Sequence, residues 1–502
     1  MTATPTTLAS TNPATGDVVG TVPIHTPAEV DAAVARARTA AAAWGALNFA
    51  DREHQLVSLR RALADAADEL ADIIHRENGK PLHEALLEVF MSLGHVQHAM
   101  VRAPKVLASE KVGTGLLANF RATISYLPLG VVGVIGPWNY PMFTPMGSIA
   151  YALAAGNTVV WKPSELTPLI AVKIAEIAAR AISIPNVLQV VTGLGPTGAA
   201  LAKAAVDKIA FTGSAPTGRR VMVAAAERLT PVLLELGGKD PMIVTEDADL
   251  DRAAEAAVFG GLTNAGQACV SVERVYVAAG LHDAFVGKVV EEARALRVGG
   301  DAPQIGAMTS PAQVEIVRDH LRDAVAKGAT VLCGGEGEIK GNYIPPTVLV
   351  GVTHDMKIMT EETFGPVIPI MKVASVDEAV ERANDSIYGL ASTVFAGKGG
   401  KAIADRLKAG MSSVNAALAV PGIPGLPFGG VGDSGFGRIH GDQGLREFSR
   451  IKSTAEEQVA IPLSFLTFRL PANVADRVRT MIHQIYGSGV VARAQDAVRR
   501  VF

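Results

Sequence analysis

Two cysteines stand in a chain of 502 residues, and one of them sits where a thiol can react. Cys269 ends the run Asn264-Ala265-Gly266-Gln267-Ala268-Cys269, a turn of small residues in which backbone amides can face a ligand and a thiolate can be approached. Free cysteines are more often small buried hydrophobes, and Cys333, in the strand-like Val331-Leu332-Cys333-Gly334, reads that way. A thiolate that attacks a carbonyl needs donors for the oxyanion it creates, each typically worth ~3 kcal/mol. Asn139, in Pro137-Trp138-Asn139-Tyr140-Pro141, is such a donor candidate, because the two prolines restrict the backbone around it. A base is needed as well, for the thiol or for a hydrolytic water. Glu235 lies among Leu233, Leu234 and Leu236, a poor setting for a solvated carboxylate, and desolvation there raises its pKa toward a useful range. A structural ion pair with Lys239 is the competing reading.

A dinucleotide asks for free N–H groups at the start of a helix. Gly193-Leu194-Gly195-Pro196-Thr197-Gly198 matches G-x-G-x-x-G between a strand and a helix, yet no acidic residue ends a following strand at the expected distance. The next such turn, Phe211-Thr212-Gly213-Ser214-Ala215, offers Gly213 and Ser214 to a pyrophosphate instead. Lys162 and Glu165, in Trp161-Lys162-Pro163-Ser164-Glu165, close another strand and can meet ribose hydroxyls. His95 and His98 are three apart, as surface pairs on helices often are. Without a carboxylate cluster beside them, no metal site is expected.

For these groups to meet, distant segments must be brought together. From Pro27 to about Lys105, Ala-rich helical spacing predicts several amphipathic helices. Ala122 to Leu127 and Val131 to Ile135 follow, strand-like and separated by Pro128 and Gly130. Short strands then alternate with helices: Asn157 to Trp161, Val187 to Val191 and Lys208 to Phe211, with helices at about Leu169 to Ala181, Thr197 to Ala204 and Thr217 to Arg228. That rhythm predicts a parallel sheet with its ligand site at the carboxyl ends of the strands. A second α/β region is expected from about Pro241 to Gly430, closed by a Gly/Pro-dense loop, Pro421 to Gly437. Apolar residues make up 49% and charged residues 19%, ample material for cores, and a net charge of −3 provides no basic field for nucleic acid. Two cysteines exclude a disulfide framework, and a free reactive thiol suits the reducing cytoplasm. The polar N-terminus and the shortness of the apolar runs point to a soluble protein.

Several blocks, in this order, resemble the aldehyde dehydrogenase superfamily over about residues 10 to 460: Pro137 to Pro141, Gly156 to Glu165, Phe211 to Gly218, Leu234 to Lys239, Gly266 to Cys269, Glu361 to Pro366, Asn384 to Leu390, and Pro427 to Gly430 leading to Ser434 and Gly435. The resemblance implies an α/β fold with a Rossmann-like NAD-binding domain (1–121 and 136–240), a second α/β catalytic domain (241–440), a β oligomerisation arm (122–135 and 441–460) and a C-terminal extension (461–502). It implies Cys269 as nucleophile, its own N–H and the Asn139 amide as oxyanion hole, and Glu235 as the base that activates water against a thioester. Cofactor contacts fall by the same resemblance to Trp138, Lys162, Ser164, Glu165, Gly195, Gly213, Ser214, Leu236, Gly237, Glu362 and Phe364, and the Gly193 to Gly198 turn is demoted to a place near the adenine. The expected reaction is the NAD(P)-dependent oxidation of an aldehyde to its acid. A carboxylate at Glu235 favours hydrolysis, since relatives that acylate coenzyme A lack one there. Cys269, Glu235 and Asn139 together argue against a catalytically silent homologue. Glu165 would repel a 2′-phosphate and so favours NAD, while the small Ser164 beside it leaves NADP open.

The stretch Met142 to Ser148, which in relatives lines the aldehyde channel, has no basic residue. That favours apolar aliphatic or aromatic aldehydes over a semialdehyde with a carboxylate, such as succinic semialdehyde. Ala122 to Leu127 and Ile451 to Glu457 look like the family's oligomerisation strands, so a homodimer or homotetramer is expected. Beyond the usual end of relatives, Ile461 to Leu470 is apolar, and Val474, Val478, Met481, Ile482 and Ile485 share a helical face beside Arg477 and Arg479. Such a tail packs on its own subunit or across an oligomer, the simpler reading, or lies on an anionic membrane surface.

Overall fold

The computed structural model describes residues 6–460 and 467–487. After a hairpin of Thr7–Thr11 and Val18–Pro23 come the helices that the Ala-rich pattern predicts: Pro27–Ala46, Phe49–Asp65, Ala67–Asn78 and Leu82–Val106. The first begins at a reciprocal cap, with the Thr26 side chain accepting from the Glu29 N–H, the Glu29 carboxylate accepting from the Thr26 N–H, and Pro27 in the first turn. The third stops at Gly79, whose φ of 87° is one that glycine adopts without strain.

Val131–Ile135, Thr158–Lys162, Leu188–Val190, Lys208–Thr212 and Val232–Glu235 form a parallel sheet, to which Gly435–Phe436 adds an antiparallel edge beside the last. The chain builds outward from Val131–Ile135 first on one side and then on the other. The strand order therefore reverses between that strand and Lys208–Thr212, the place where open α/β sheets bind ligands. Val131, Val132, Val159, Val160, Ile209 and Leu233 are all fully buried, as in a sheet covered on both faces. The expected arm boundary at residue 135 is corrected by this pairing: Val131–Ile135 is an inner strand of the sheet, hydrogen-bonded on both edges.

A second sheet runs in the order Thr330–Cys333, Thr347–Val350, Val367–Val373, Val272–Ala278, Asp240–Val244, Thr393–Phe395 and Ser413–Val414, parallel except for Thr330–Cys333. Helices such as Leu250–Leu262, His282–Ala295 and Pro311–Ala326 pack their apolar stripes into its core.

By its contacts the chain divides into residues 1–108 with 125–452, which hold both sheets, and residues 109–124 with 453–502. In the second unit Glu110–Val112 pairs antiparallel with Ala122 to Ile124, and the helix Val474–Tyr486 has no buried residue. Residues 461–466 of the apolar stretch expected in the tail lie outside the described residues. Among the described residues, no helix is long and apolar enough to cross a membrane.

Candidate active site

Cys269 stands in a strained turn just before the strand Val272–Ala278. Asn264, Ala265 and Gly266 have φ of 51°, 54° and 72°, a left-handed run that costs a non-glycine residue about 1–3 kcal/mol. Side-chain amides hold it: Gln267 Nε2 donates to the Asn264 carbonyl at 2.9 Å, and Gln267 Oε1 accepts from the Thr309 N–H at 2.9 Å. Position 266 must be glycine for a second reason, because a Cβ there would lie 2.2 Å from the Gly365 carbonyl oxygen. The turn leaves Cys269 half-buried in the wall of a cleft.

Asn139 follows the strand Val131–Ile135 and lines the same cleft. One hydrogen of its amide goes to the Gln267 carbonyl at 2.9 Å, leaving the other for a ligand, while its own carbonyl accepts from Lys80 Nζ and Asn264 Nδ2, each at 2.9 Å. Nucleophile loop and amide loop are thus bonded to each other. Glu235 ends the strand Val232–Glu235, is 2% exposed, and has no hydrogen-bond partner for either oxygen among the described residues. Burial pushes it well above the usual carboxylate range, against the pull of Arg438. The competing pairing with Lys239 is not made, since Lys239 Nζ bonds Glu273 at 2.6 Å and Thr363 Oγ1 at 3.0 Å. An unpaired buried polar group costs about 1–3 kcal/mol, which makes Glu235 a candidate for a functional position. Burial, followed by the charges of Asp240, Glu235 and Glu362, pushes the Cys269 thiol up as well.

The cleft, about 850 Å³, follows the carboxyl ends of four parallel strands through Gly136, Lys162, Gly213 and Leu236. Every residue expected at the cofactor lines it. Ser214 opens the helix Ala215–Ala226 without capping it, its hydroxyl donating to Thr217 Oγ1 at 3.1 Å, so the first N–H groups remain available to an anion. Lys162 Nζ meets Glu165 Oε2 at 3.1 Å, and Gly195 borders open space. Trp138 and Phe364 meet edge to face at 5.4 Å. Glu273 fixes the second of these by accepting from the Thr363 and Phe364 N–H groups at 2.8 and 2.9 Å. Glu362 accepts from the Gly238 N–H at 3.0 Å, and burial with Glu273 nearby pushes it up to about 8. This donor set fits a dinucleotide: helix-start N–H groups for a pyrophosphate, charged and polar ends for ribose hydroxyls, and aromatic edges for a flat ring.

Arg220, Gln313 and Ile316 also line the cleft, unforeseen from the sequence because each sits on an otherwise ordinary amphipathic helix. The buried Lys80, Glu88 and Glu273 were missed too; charges inside apolar patterns were the available signal. His95 is not a surface residue. Its ring is buried 3.7 Å from that of His440, and among the described residues no group of three His, Cys, Asp or Glu is placed to hold a metal. Cys333 Sγ lies 3.6 Å from the Pro346 carbonyl oxygen, within the second sheet.

Residues 1–454 match the aldehyde dehydrogenase family model. The chain is 40% identical over 488 residues to a 4,4′-diapolycopene aldehyde oxidase of Methylomonas sp, covering 96% of this chain and 92% of the relative. It is 38% identical over 453 residues to a putative succinate-semialdehyde dehydrogenase (NADP+) of Mycolicibacterium smegmatis, covering 89% and 88%. The solved structure of an NAD-dependent aldehyde dehydrogenase from Sinorhizobium meliloti matches with a TM-score of 0.88 at 35% identity, over 92% of this chain and 93% of that one.

Proposed function

Because the chain belongs to the aldehyde dehydrogenase family, we propose that its cleft binds NAD or NADP and that Cys269 carries the acyl group while an aldehyde is oxidised to its carboxylic acid. The observation that carries this assignment is the meeting of Cys269 and Asn139 with an uncapped helix start in one cleft.

Glu235, near enough to raise the pKa of Cys269, takes the thiol proton as sulfur adds to the carbonyl carbon. The remaining Asn139 N–H and the Cys269 N–H hold the oxyanion. An oxidised nicotinamide held between Trp138, Phe364 and Glu362 would supply the hydride acceptor for the thiohemiacetal carbon. Glu235, once it has passed the thiol proton to solvent, draws a proton from the water that attacks the thioester and returns it to the departing sulfur, so that the acid and the thiol are released. Lys162 and Glu165 hold the adenosine ribose, Glu362 holds the nicotinamide ribose, and Gly213 and Ser214 border the pyrophosphate. The Glu165 carboxylate favours NAD, while Ser164 leaves room for NADP.

Apolar aldehydes fit best. Cys269 packs against a cluster that includes Met142, Val420 and Phe428, and the helix Phe143–Ala154 carries no charge. Similarity to a succinate-semialdehyde dehydrogenase supports a semialdehyde as the second reading. Reduction of NAD and NADP, measured without coenzyme A over aliphatic, aromatic and carboxylate-bearing aldehydes, separates the two. Free acid from apolar aldehydes is expected, with none from Cys269→Ser. A strict need for coenzyme A, or highest kcat/KM on succinic semialdehyde, overturns the first reading.

The exposed edge of Ser449–Glu457 supports a homodimer or homotetramer. Val478 and Ile482, 39% and 52% exposed on the helix Val474–Tyr486 beside Arg477 and Arg479, support peripheral contact with an anionic lipid surface by a cytoplasmic enzyme.

A further inference from the structure

One helix grips both loops on which the chemistry depends. Glu84 and Glu88 stand four residues apart on Leu82–Val106 and so share a face. Glu84 takes the nucleophile loop: the Asn264 N–H donates to its two oxygens at 3.1 and 3.0 Å, and Thr263 Oγ1 donates to Oε1 at 3.1 Å. Glu88 takes the amide loop, its Oε1 accepting from the Met142 and Phe143 N–H groups at 2.8 and 3.0 Å. Its Oε2 holds Lys80 Nζ at 2.6 Å, and Lys80 donates onward to the Asn139 carbonyl at 2.9 Å while lying 3.9 Å from the Tyr140 ring centre.

The Lys80–Glu88 pair is fully buried. Desolvation makes such pairs weak sources of stability, so this one is better explained by the geometry it imposes. The two loops also bond each other through Asn264 and Asn139, but both partners are side chains or carbonyls on irregular backbone. A helix with a fixed rise of about 1.5 Å per residue supplies the rigid reference that they lack.

We propose that Glu84 and Glu88 are positioning residues that set the separation between Cys269 and the Asn139 amide, Glu84 acting on the first and Glu88 on the second. This rests on the assignment of those two groups above.

Two reactions of the full-length protein, neither needing a cofactor, read the two halves apart. Alkylation by iodoacetamide, followed on the peptide that carries Cys269 so that Cys333 is not counted, reports that thiol alone. Turnover of 4-nitrophenyl acetate reports the thiol together with the oxyanion donors, because the acetyl carbonyl passes through a tetrahedral oxyanion as it moves to sulfur and 4-nitrophenolate leaves. Glu88→Gln is expected to leave the alkylation rate within about twofold of the parent and to lower ester kcat by about tenfold or more with little change in KM. Glu84→Gln should lower both rates. Lys80→Met combined with Glu88→Gln removes both charges of the buried pair together and should show the same split as Glu88→Gln, with an unchanged circular dichroism spectrum. Equal loss of both reactions in the double variant, or loss of neither, overturns the proposal. Ester turnover by Cys269→Ser at the parent rate would instead overturn the assignment of the nucleophile.

Discussion

Burial is the largest cause that pushes up both the Cys269 thiol and the Glu235 carboxyl, and the charges of Asp240 and Glu235 push the thiol further. In the proposed role of base, Glu235 would take a proton from water only above its raised pKa. Thioester hydrolysis should therefore climb with pH through that value, since the protonated carboxyl below it cannot act. Glu235→Gln should slow the hydrolytic step by roughly 10²–10⁴ and abolish the pH limb, as read by single-turnover acid release after a burst of reduced cofactor. A parent profile that stays flat from acid to neutral pH would exclude Glu235 from that step. Both residues were legible in the sequence because each breaks its local pattern, a rare thiol among small residues and a carboxylate among leucines. The missing Lys239 contact was not legible, since the partner that wins, Glu273, is remote in sequence.

Among the elements, the helix Pro168–Ala181 is tied at its start by Glu77, which accepts from the Leu169 and Ile170 N–H groups at 2.9 and 3.0 Å and from Ser10 Oγ at 2.7 Å. Burial outweighs these bonds and raises Glu77 to about 7. Its folded pKa lies above the unfolded value of 4.5, so the folded state binds more protons between the two. Its contribution to stability is full below the lower value and is lost as pH rises toward the upper one, by about 3 kcal/mol in all. Compared with Glu77→Gln, which keeps the shape without the titration, the parent should lose melting temperature between pH 4.5 and 7 and run parallel above. Parallel melting curves over the whole range would show that Glu77 does not titrate there. Helices with a cap, such as Pro27–Ala46, begin where the sequence says they do. Val131–Ile135 was assigned to the wrong element because a short apolar run has no mark of which neighbours it will pair with.

At the scale of the whole molecule, two surfaces remain to be covered. Thr454→Pro removes a donor from the strand Ser449–Glu457 and should shift the sedimentation of an oligomer toward the monomer; an unchanged distribution would place the interface elsewhere. Deleting residues 461–502 should abolish co-sedimentation with anionic vesicles while leaving aldehyde oxidation intact, whereas unchanged partitioning would end the membrane reading. What the sequence determined by itself was local: the reactive residue types, the turns and caps that frame them, and the alternation of strand and helix that makes a parallel sheet. Only the tertiary structure decided which glycine-rich turns share a cleft, that Glu235 is left without a partner among the described residues, and that Glu84 and Glu88 span both loops. The division is physical, because capping and periodicity act over a few residues of chain, whereas desolvation and ion pairing are set by neighbours that folding brings from anywhere along it.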